Sequence, residues 1–106
     1  IRDYLFIDDA IDAYLLLAQT NIKEGENGIF NFGGSSIISV EDLVKKIIKI
    51  SGKNLTIRKV AEEREGEIDS QYVSFSKATK LLKWKPKINL DEGLKKTLLW
   101  YTSYFK

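Results

Sequence analysis

The sequence predicts an α/β fold in which short parallel strands alternate with helices, followed by a helical C-terminal tail. Three observations support this prediction. Short apolar runs bounded by glycine or polar residues alternate with stretches of helical periodicity. Their order is strand, helix, strand, helix, strand, which favours right-handed crossovers between parallel strands. The final third carries two helix patterns and no strand pattern.

The bulk composition is that of one folded domain. The chain has 106 residues, of which 43% are hydrophobic and 30% charged, and its net charge is +2. Lysines alternate with acidic residues, whereas a nucleic-acid surface usually carries a concentrated basic stripe. Cysteine and histidine are absent, which excludes disulfides, cysteine nucleophiles, serine–histidine triads and the common zinc sites. No apolar run is long enough for a membrane span, and we expect a cytoplasmic setting.

The first strand–helix unit is unusually apolar. Residues 5–7 read as a buried strand, and Asp8 or Asp9 is expected to cap a helix that runs to about Thr20. Apolar residues cover nearly the whole circumference of this helix, whereas a surface helix shows one apolar stripe. We therefore expect a helix that is buried on all sides, with a partner outside the chain supplying part of the cover.

The second unit begins with a strand over residues 28–32. Gly33 and Gly34 follow it and are interpreted as a turn that needs permissive backbone angles. The phosphate-loop alternative fails, because neither G-x-G-x-x-G nor G-x-x-x-x-G-K-[ST] is present. Ser39, with Asp42 three residues later, predicts the start of a helix that ends at Gly52.

The remaining elements are a third strand, a polar segment and two helices. Residues 55–60 alternate well enough for a strand, and residues 61–71 are polar. A short helix is predicted over 76–83, before a proline that forbids continuation. Asn89 caps the last helix, whose buried face is expected to comprise Leu90, Leu94, Leu98, Tyr101 and Phe105.

Two arginines are candidate anion contacts, and a nearby acid reads by itself as a loop carboxylate. Arg2 precedes the first strand, and Arg64 lies in the polar segment three residues before Glu67. An arginine offers a planar fork of donors that suits a phosphate or diphosphate. Taken alone, however, each of these side chains is more typical of an ordinary exposed surface residue.

Three stretches in this order change that interpretation: "RDYLFIDDAIDAYLLLA" at 2–18, "GIFNFGG" followed by "ISVEDLV" within 28–44, and "REGEIDSQYVSFSKATKLLKWKPKINLDEGLKKTLLWY" at 64–101. Together they resemble the C-terminal portion of extended short-chain dehydrogenase/reductases, the NAD-dependent nucleotide-sugar epimerases and dehydratases. The resemblance spans nearly the whole chain. The "QYV" before "SFSKA" is most similar to the CDP-glucose 4,6-dehydratase-like branch.

The resemblance implies a role for the chain as a whole. Residues 1–106 would be the C-terminal substrate-binding segment of an extended Rossmann-type enzyme, without its N-terminal NAD(P)-binding domain. The parent would be a homodimer that oxidises a nucleotide diphosphate sugar to a 4-keto intermediate, followed by loss of water or return of hydride. A stand-alone binding or regulatory module with the same fold is the alternative.

The resemblance also assigns site residues. It implies that Arg2 and Arg64 contact the diphosphate and that Glu67 approaches the ribose. The family often has proline after the second arginine and aspartate at the acidic position, where this chain has Glu65 and Glu67, and this departure weakens the ribose assignment. No tyrosine is followed by lysine four residues on, so the Tyr-x-x-x-Lys catalytic pair is absent, and we expect no catalytic, cofactor-binding or metal-binding residue.

Overall fold

The structure is a computed structural model that describes residues 1–20, 28–60 and 66–105. Four helices and two very short strands form its regular elements. In chain order they are β1 (Arg2–Asp3), α1 (Ile7–Gln19), β2 (Ile37–Ile38), α2 (Val40–Ser51), α3 (Ser76–Leu82) and α4 (Leu90–Tyr104).

The strand β1 lies between two other segments. On one side it pairs antiparallel with β2, with Arg2 opposite Ile38. On the other side Arg2 forms a parallel bridge with Gln71. The Gln71 amide donates to the Ile1 carbonyl at 2.9 Å, and the Ile1 amino group donates to the Asp69 carbonyl at 2.7 Å. Three distant parts of the chain therefore meet at β1.

The prediction of parallel strands that alternate with helices is wrong for the described residues. Their sheet has two strands, which are antiparallel, and residues 5–6, 28–32 and 55–60 form no strand. An apolar run becomes a strand only when a neighbouring chain completes its hydrogen bonds. No described segment forms such a ladder with these three runs.

The helix boundaries follow local capping chemistry. The Ser39 hydroxyl accepts a hydrogen bond from the Asp42 amide at 3.1 Å, and the Asn89 side chain accepts one from the Glu92 amide at 2.9 Å. Gly52 ends α2 with a φ of 69°. These three predictions are confirmed, because each depends on side chains within one turn of the helix end.

The predicted aspartate cap of α1 is wrong. Phe6 occupies the N-cap position without a side-chain hydrogen bond, and the helix begins at Ile7. Asp9 is instead buried, with 2% of its surface exposed. Its two carboxylate oxygens accept hydrogen bonds from the Lys87 and Ile88 amides, each at 3.0 Å. A buried carboxylate needs such donors to offset its lost hydration.

The core forms where α1, α3 and the segment after α3 meet. Its buried residues are Ala13, Ala78, Leu82 and Trp84. The Trp84 ring packs edge-on against Phe32 at 5.0 Å and Phe75 at 5.7 Å between ring centroids, and its indole nitrogen donates to the Asp9 carbonyl at 3.0 Å. Trp84 therefore satisfies its one polar group while filling the core.

The apolar helices are only partly covered by the described residues. On α1, Ala13 is buried, whereas Ile7, Ile11, Tyr14 and Leu15 form an exposed stripe that is 48–74% accessible. We call this stripe the α1 apolar face. The described residues therefore cover only part of α1, and the partner outside the chain that is expected to cover the rest stays a prediction.

The buried face predicted for α4 is correct only at its start. Leu90 and Leu94 are half-buried, while Tyr101 and Phe105 are 50% and 74% exposed. The α4 helix packs against α2 near its N-terminal end, where Lys46 forms an ion pair with Asp91 at 2.9 Å.

Asp9→Ala should lower the free energy of unfolding by about 3–5 kcal/mol, because two charge-assisted hydrogen bonds are lost and two amides are left without their acceptor. Urea denaturation of the two proteins measures the difference. Asp8→Ala is the matched control, since Asp8 is exposed in the same helical turn and should cost less than about 1 kcal/mol. Equal effects of the two changes would contradict the role of Asp9.

The Lys46–Asp91 pair predicts a pH dependence. The hydrogen bond from Lys46, followed by its charge, lowers the pKa of Asp91 below its ordinary value of 3.8. A lowered folded-state pKa stabilises the fold above the unfolded-state pKa, and this contribution is lost as the pH falls through the folded-state value. Lys46→Ala should therefore raise the pKa of Asp91, as measured by carboxyl NMR titration.

The stability difference between the Lys46→Ala variant and the unaltered chain should be present at neutral pH and vanish in acid. Lys45→Ala serves as the control, because Lys45 pairs with Glu41 at 3.3 Å. A similar pKa rise in both variants would show that the Asp91 shift does not come from the Lys46 contact.

Candidate functional site

Arg2 lies on β1 with its guanidinium turned toward backbone carbonyls. One terminal nitrogen donates to the Ile1 carbonyl at 2.8 Å, and the other donates to the Ile68 carbonyl. An arginine side chain has five N–H donors. Two are used here, and the side chain is half-buried, so three donors remain for an anion.

Asp3 contacts the same downstream segment as Arg2. Its carboxylate accepts a hydrogen bond from the Val73 amide at 3.4 Å. The adjacent residues of β1 thus bind two points of the chain that lie close together in sequence, Ile68 and Val73. Sequence reasoning singled out Arg2 and missed Asp3, although the two residues stand side by side in the "RDY" stretch.

Gly33 and Gly34 are required for close packing against β1. A side-chain carbon on Gly33 would lie 2.6 Å from Val73 and would overlap the Asp3 carboxylate, and one on Gly34 would lie 2.8 Å from the Tyr4 carbonyl carbon. Neither glycine has a positive φ; in the part of the chain that the structure describes, only Gly52, Gly66 and Lys83 do. The prediction that these glycines are needed for their backbone angles is therefore wrong. Glycine is needed here because a side chain would collide with neighbouring atoms.

The structure describes two of the three predicted site residues, Arg2 and Glu67. Glu67 is exposed. It is adjacent in sequence to Ile68, whose carbonyl accepts a hydrogen bond from Arg2. Gly66, just before Glu67, adopts a φ of 79°. Arg64 lies outside the described residues. The structure thus brings the Glu67 segment to Arg2 across more than sixty positions of sequence.

The described parts of the chain offer neither a metal-binding cluster nor a membrane-spanning helix. Across residues 1–20, 28–60 and 66–105, no group of three or more histidine, cysteine, aspartate or glutamate side chains could hold a metal ion. No helix in those ranges combines the length and apolar character needed to cross a membrane.

The fold is similar to parts of solved nucleotide-sugar enzymes. The UDP-glucose 4-epimerase of Thermotoga maritima, solved with UDP-glucose, superposes with a TM-score of 0.82 at 30% identity, covering 98% of this chain and 32% of that one. The WbmF enzyme of Bordetella bronchiseptica, solved with NAD+ and UDP, superposes with a TM-score of 0.77 at 25% identity, covering 98% of this chain and 30% of that one.

Sequence relatives point the same way. UDP-glucuronate 4-epimerase 4 of Arabidopsis thaliana is 31% identical over 117 residues, covering 98% of this chain and 26% of that protein. The dTDP-D-glucose 4,6-dehydratase of Mus musculus is 32% identical over 116 residues, covering 98% of this chain and 30% of that protein. The chain therefore spans about a third or less of the relatives that it matches.

Together these neighbours define the class as extended short-chain dehydrogenase/reductases of the Rossmann type, which confirms an α/β fold at the level of class. The family model for GDP-mannose 4,6 dehydratase matches residues 1–97. The chain belongs to this family of nucleotide-sugar epimerases and dehydratases, as the ordered motifs predicted.

Gly34→Ala should destabilise the chain by about 1–3 kcal/mol, because the added methyl group meets backbone that cannot swing aside. Thermal unfolding followed by circular dichroism measures the loss. Ser35→Ala changes the next residue, which is exposed, and should stay within about 0.5 kcal/mol of the unaltered chain. An alanine tolerated at position 34 would show that β1 does not need this close approach.

Proposed function

We propose that this chain is the substrate-binding C-terminal segment of an NAD(P)-dependent nucleotide-sugar 4,6-dehydratase or epimerase. Its contribution is to position the nucleotide diphosphate of the sugar substrate. The observation that carries the proposal is the likeness, over 98% of this chain, to part of an epimerase solved with UDP-glucose. The choice between dehydratase and epimerase stays open, because relatives of both kinds match, and the CDP-glucose branch stays a prediction.

Arg2, Arg64 and Glu67 are the residues proposed to bind the substrate. The three unused donors of Arg2 can form charge-assisted hydrogen bonds with diphosphate oxygens. Glu67 is exposed one residue from the carbonyl that Arg2 holds, and a carboxylate there could accept hydrogen bonds from ribose hydroxyls. Arg64 rests on the family resemblance alone.

No NAD-binding residue is proposed among the described residues of this chain. The Gly33–Gly34 pair is packed against Asp3 and Tyr4 and is not part of a glycine-rich dinucleotide fingerprint. The Tyr-x-x-x-Lys pair is missing as well. The cofactor, NAD or NADP, is therefore proposed for the parent enzyme, and this polypeptide alone is expected to be inactive.

The missing partner is proposed to be the N-terminal Rossmann domain of the parent. The α1 apolar face presents large side chains that no described residue covers, including Tyr14 at 74% exposure. Packing a domain there would remove this surface from water, which is favourable in proportion to its area. A homodimeric parent and a cytoplasmic location remain predictions.

A non-catalytic binding or regulatory module with the same fold is the second candidate, and the missing catalytic pair is expected under both. The coding sequence before Ile1 separates the two. A Rossmann fingerprint upstream would support the enzyme segment, whereas a start codon immediately before Ile1 would support the module.

Titration of UDP into the chain tests the binding role. We expect weak binding that falls about tenfold in Arg2→Ala and in Arg64→Ala, because each change removes a charge-assisted contact with the diphosphate. Isothermal calorimetry or NMR shift mapping measures the affinities.

Arg58→Ala is the control for net charge, since Arg58 is an exposed arginine outside the proposed site. The diphosphate role would be abandoned if all three variants bound UDP as tightly as the unaltered chain does, or if the unaltered chain bound none.

A further inference from the structure

The segment that carries Glu67 is held to Ile1 and β1 by four hydrogen bonds among the described residues. Two are backbone contacts, between Ile1 and the pair Asp69 and Gln71. The other two use side chains: Arg2 donates to the Ile68 carbonyl, and Asp3 accepts from the Val73 amide. We call these two side-chain contacts the Arg2–Asp3 clamp.

We propose that Arg2 and Asp3 are positioning residues that fix residues 68–73, and through them Glu67, in the geometry that binds a nucleoside diphosphate. The ligand in this statement rests on the proposed function, whereas the clamp itself does not. Arg2 positions this segment in addition to any contact that it makes with the diphosphate. Asp3 acts only by positioning the segment.

The opposite charges of the clamp match the backbone groups that they bind. A guanidinium can only donate and a carboxylate can only accept, and the segment offers a carbonyl at Ile68 and an amide at Val73. Gly33 belongs to the same arrangement, because a side chain there would overlap the Asp3 carboxylate. Arg2, Asp3 and Gly33 therefore act together at this contact. Two incidental surface hydrogen bonds would not need a glycine beside them.

The segment needs such support because little else holds it. Residues 66–72 are exposed and contain no helix or strand of their own, apart from the single bridge at Gln71. Ordering a free backbone costs about 1–2 kcal/mol per residue. When the segment is ordered before the ligand arrives, binding does not bear that cost.

Asp3 separates this proposal from a simple charge effect. If Arg2 acted only as a diphosphate contact, Asp3 would be a nearby anion that repels the ligand. Removing its charge would then leave UDP affinity unchanged or raise it. Under the clamp, removing it weakens binding, although Asp3 itself touches no anion. The direction in which UDP affinity changes when the Asp3 charge is removed therefore distinguishes the two roles.

The experiment compares Asp3→Ala, Asp3→Asn, Arg2→Ala and the control Arg58→Ala. Hydrogen exchange is read at the Gln71 amide, whose acceptor is the Ile1 carbonyl. The Asp3 side chain does not contact this carbonyl, whereas the Arg2 guanidinium also donates to it, so Asp3→Ala is the independent readout. We expect this amide to exchange about tenfold faster in Asp3→Ala and Arg2→Ala, and at the original rate in Arg58→Ala.

UDP affinity is measured on the same proteins. Asp3→Ala should bind about five- to tenfold more weakly, and Asp3→Asn, which keeps an acceptor oxygen, should recover to within about twofold. Asp3→Asn also guards against a folding defect in the alanine variant. Unchanged or tighter UDP binding by a folded Asp3→Ala protein would overturn the proposal, as would unchanged Gln71 exchange.

The two proposals fail in different ways. A chain that binds no UDP refutes the proposed function, and the exchange rate of Gln71 then decides the clamp alone. A chain that binds UDP, with Gln71 exchange insensitive to both Arg2→Ala and Asp3→Ala, refutes the clamp and leaves the binding function standing.

Discussion

The buried carboxylate of Asp9 is the contact on which the rest of the fold depends. It joins the first turn of α1 to the backbone at Lys87 and Ile88, across nearly eighty positions of sequence. Trp84 binds the backbone of the same aspartate and fills the core beside it. Because a buried carboxylate without donors is strongly unfavourable, this contact fixes the chain leading into α4 against the chain leading out of β1. Gly93 of α4 then packs beside Phe6, where a side-chain carbon would come within 3.3 Å of the ring.

The candidate site is built on this frame a few residues upstream. Because α1 is anchored at Asp9, β1 has a defined place, and three segments converge on it: the glycine pair, β2 and residues 68–73. Among the described residues, the polar groups of this site bind backbone groups or face solvent. This agrees with a chain that belongs to a family of nucleotide-sugar enzymes but matches about a third or less of each relative.

Features set by residues within one helical turn were predictable from the sequence. The Ser39 and Asn89 caps and the glycine end of α2 are of this kind, because their partners lie within a few residues of each other. The helix predicted over 76–83 forms at 76–82. Family membership was predictable too, since it rests on the order of motifs along the chain. Arg2 and Glu67 could be nominated only through that resemblance.

The sequence by itself thus determined the helices, the caps of α2 and α4 and the family, whereas only the tertiary structure decided what the buried and paired groups do. An aspartate at a helix start reads as a cap, yet Asp9 finds better donors in a segment that no local pattern connects to it. Apolar runs read as strands, yet a strand requires a neighbouring ladder. A glycine pair reads as a turn, yet Gly34 serves the close approach of Tyr4. In each case the outcome depends on which residues, far away in sequence, come close in the fold. Short-range sequence patterns carry no information about them.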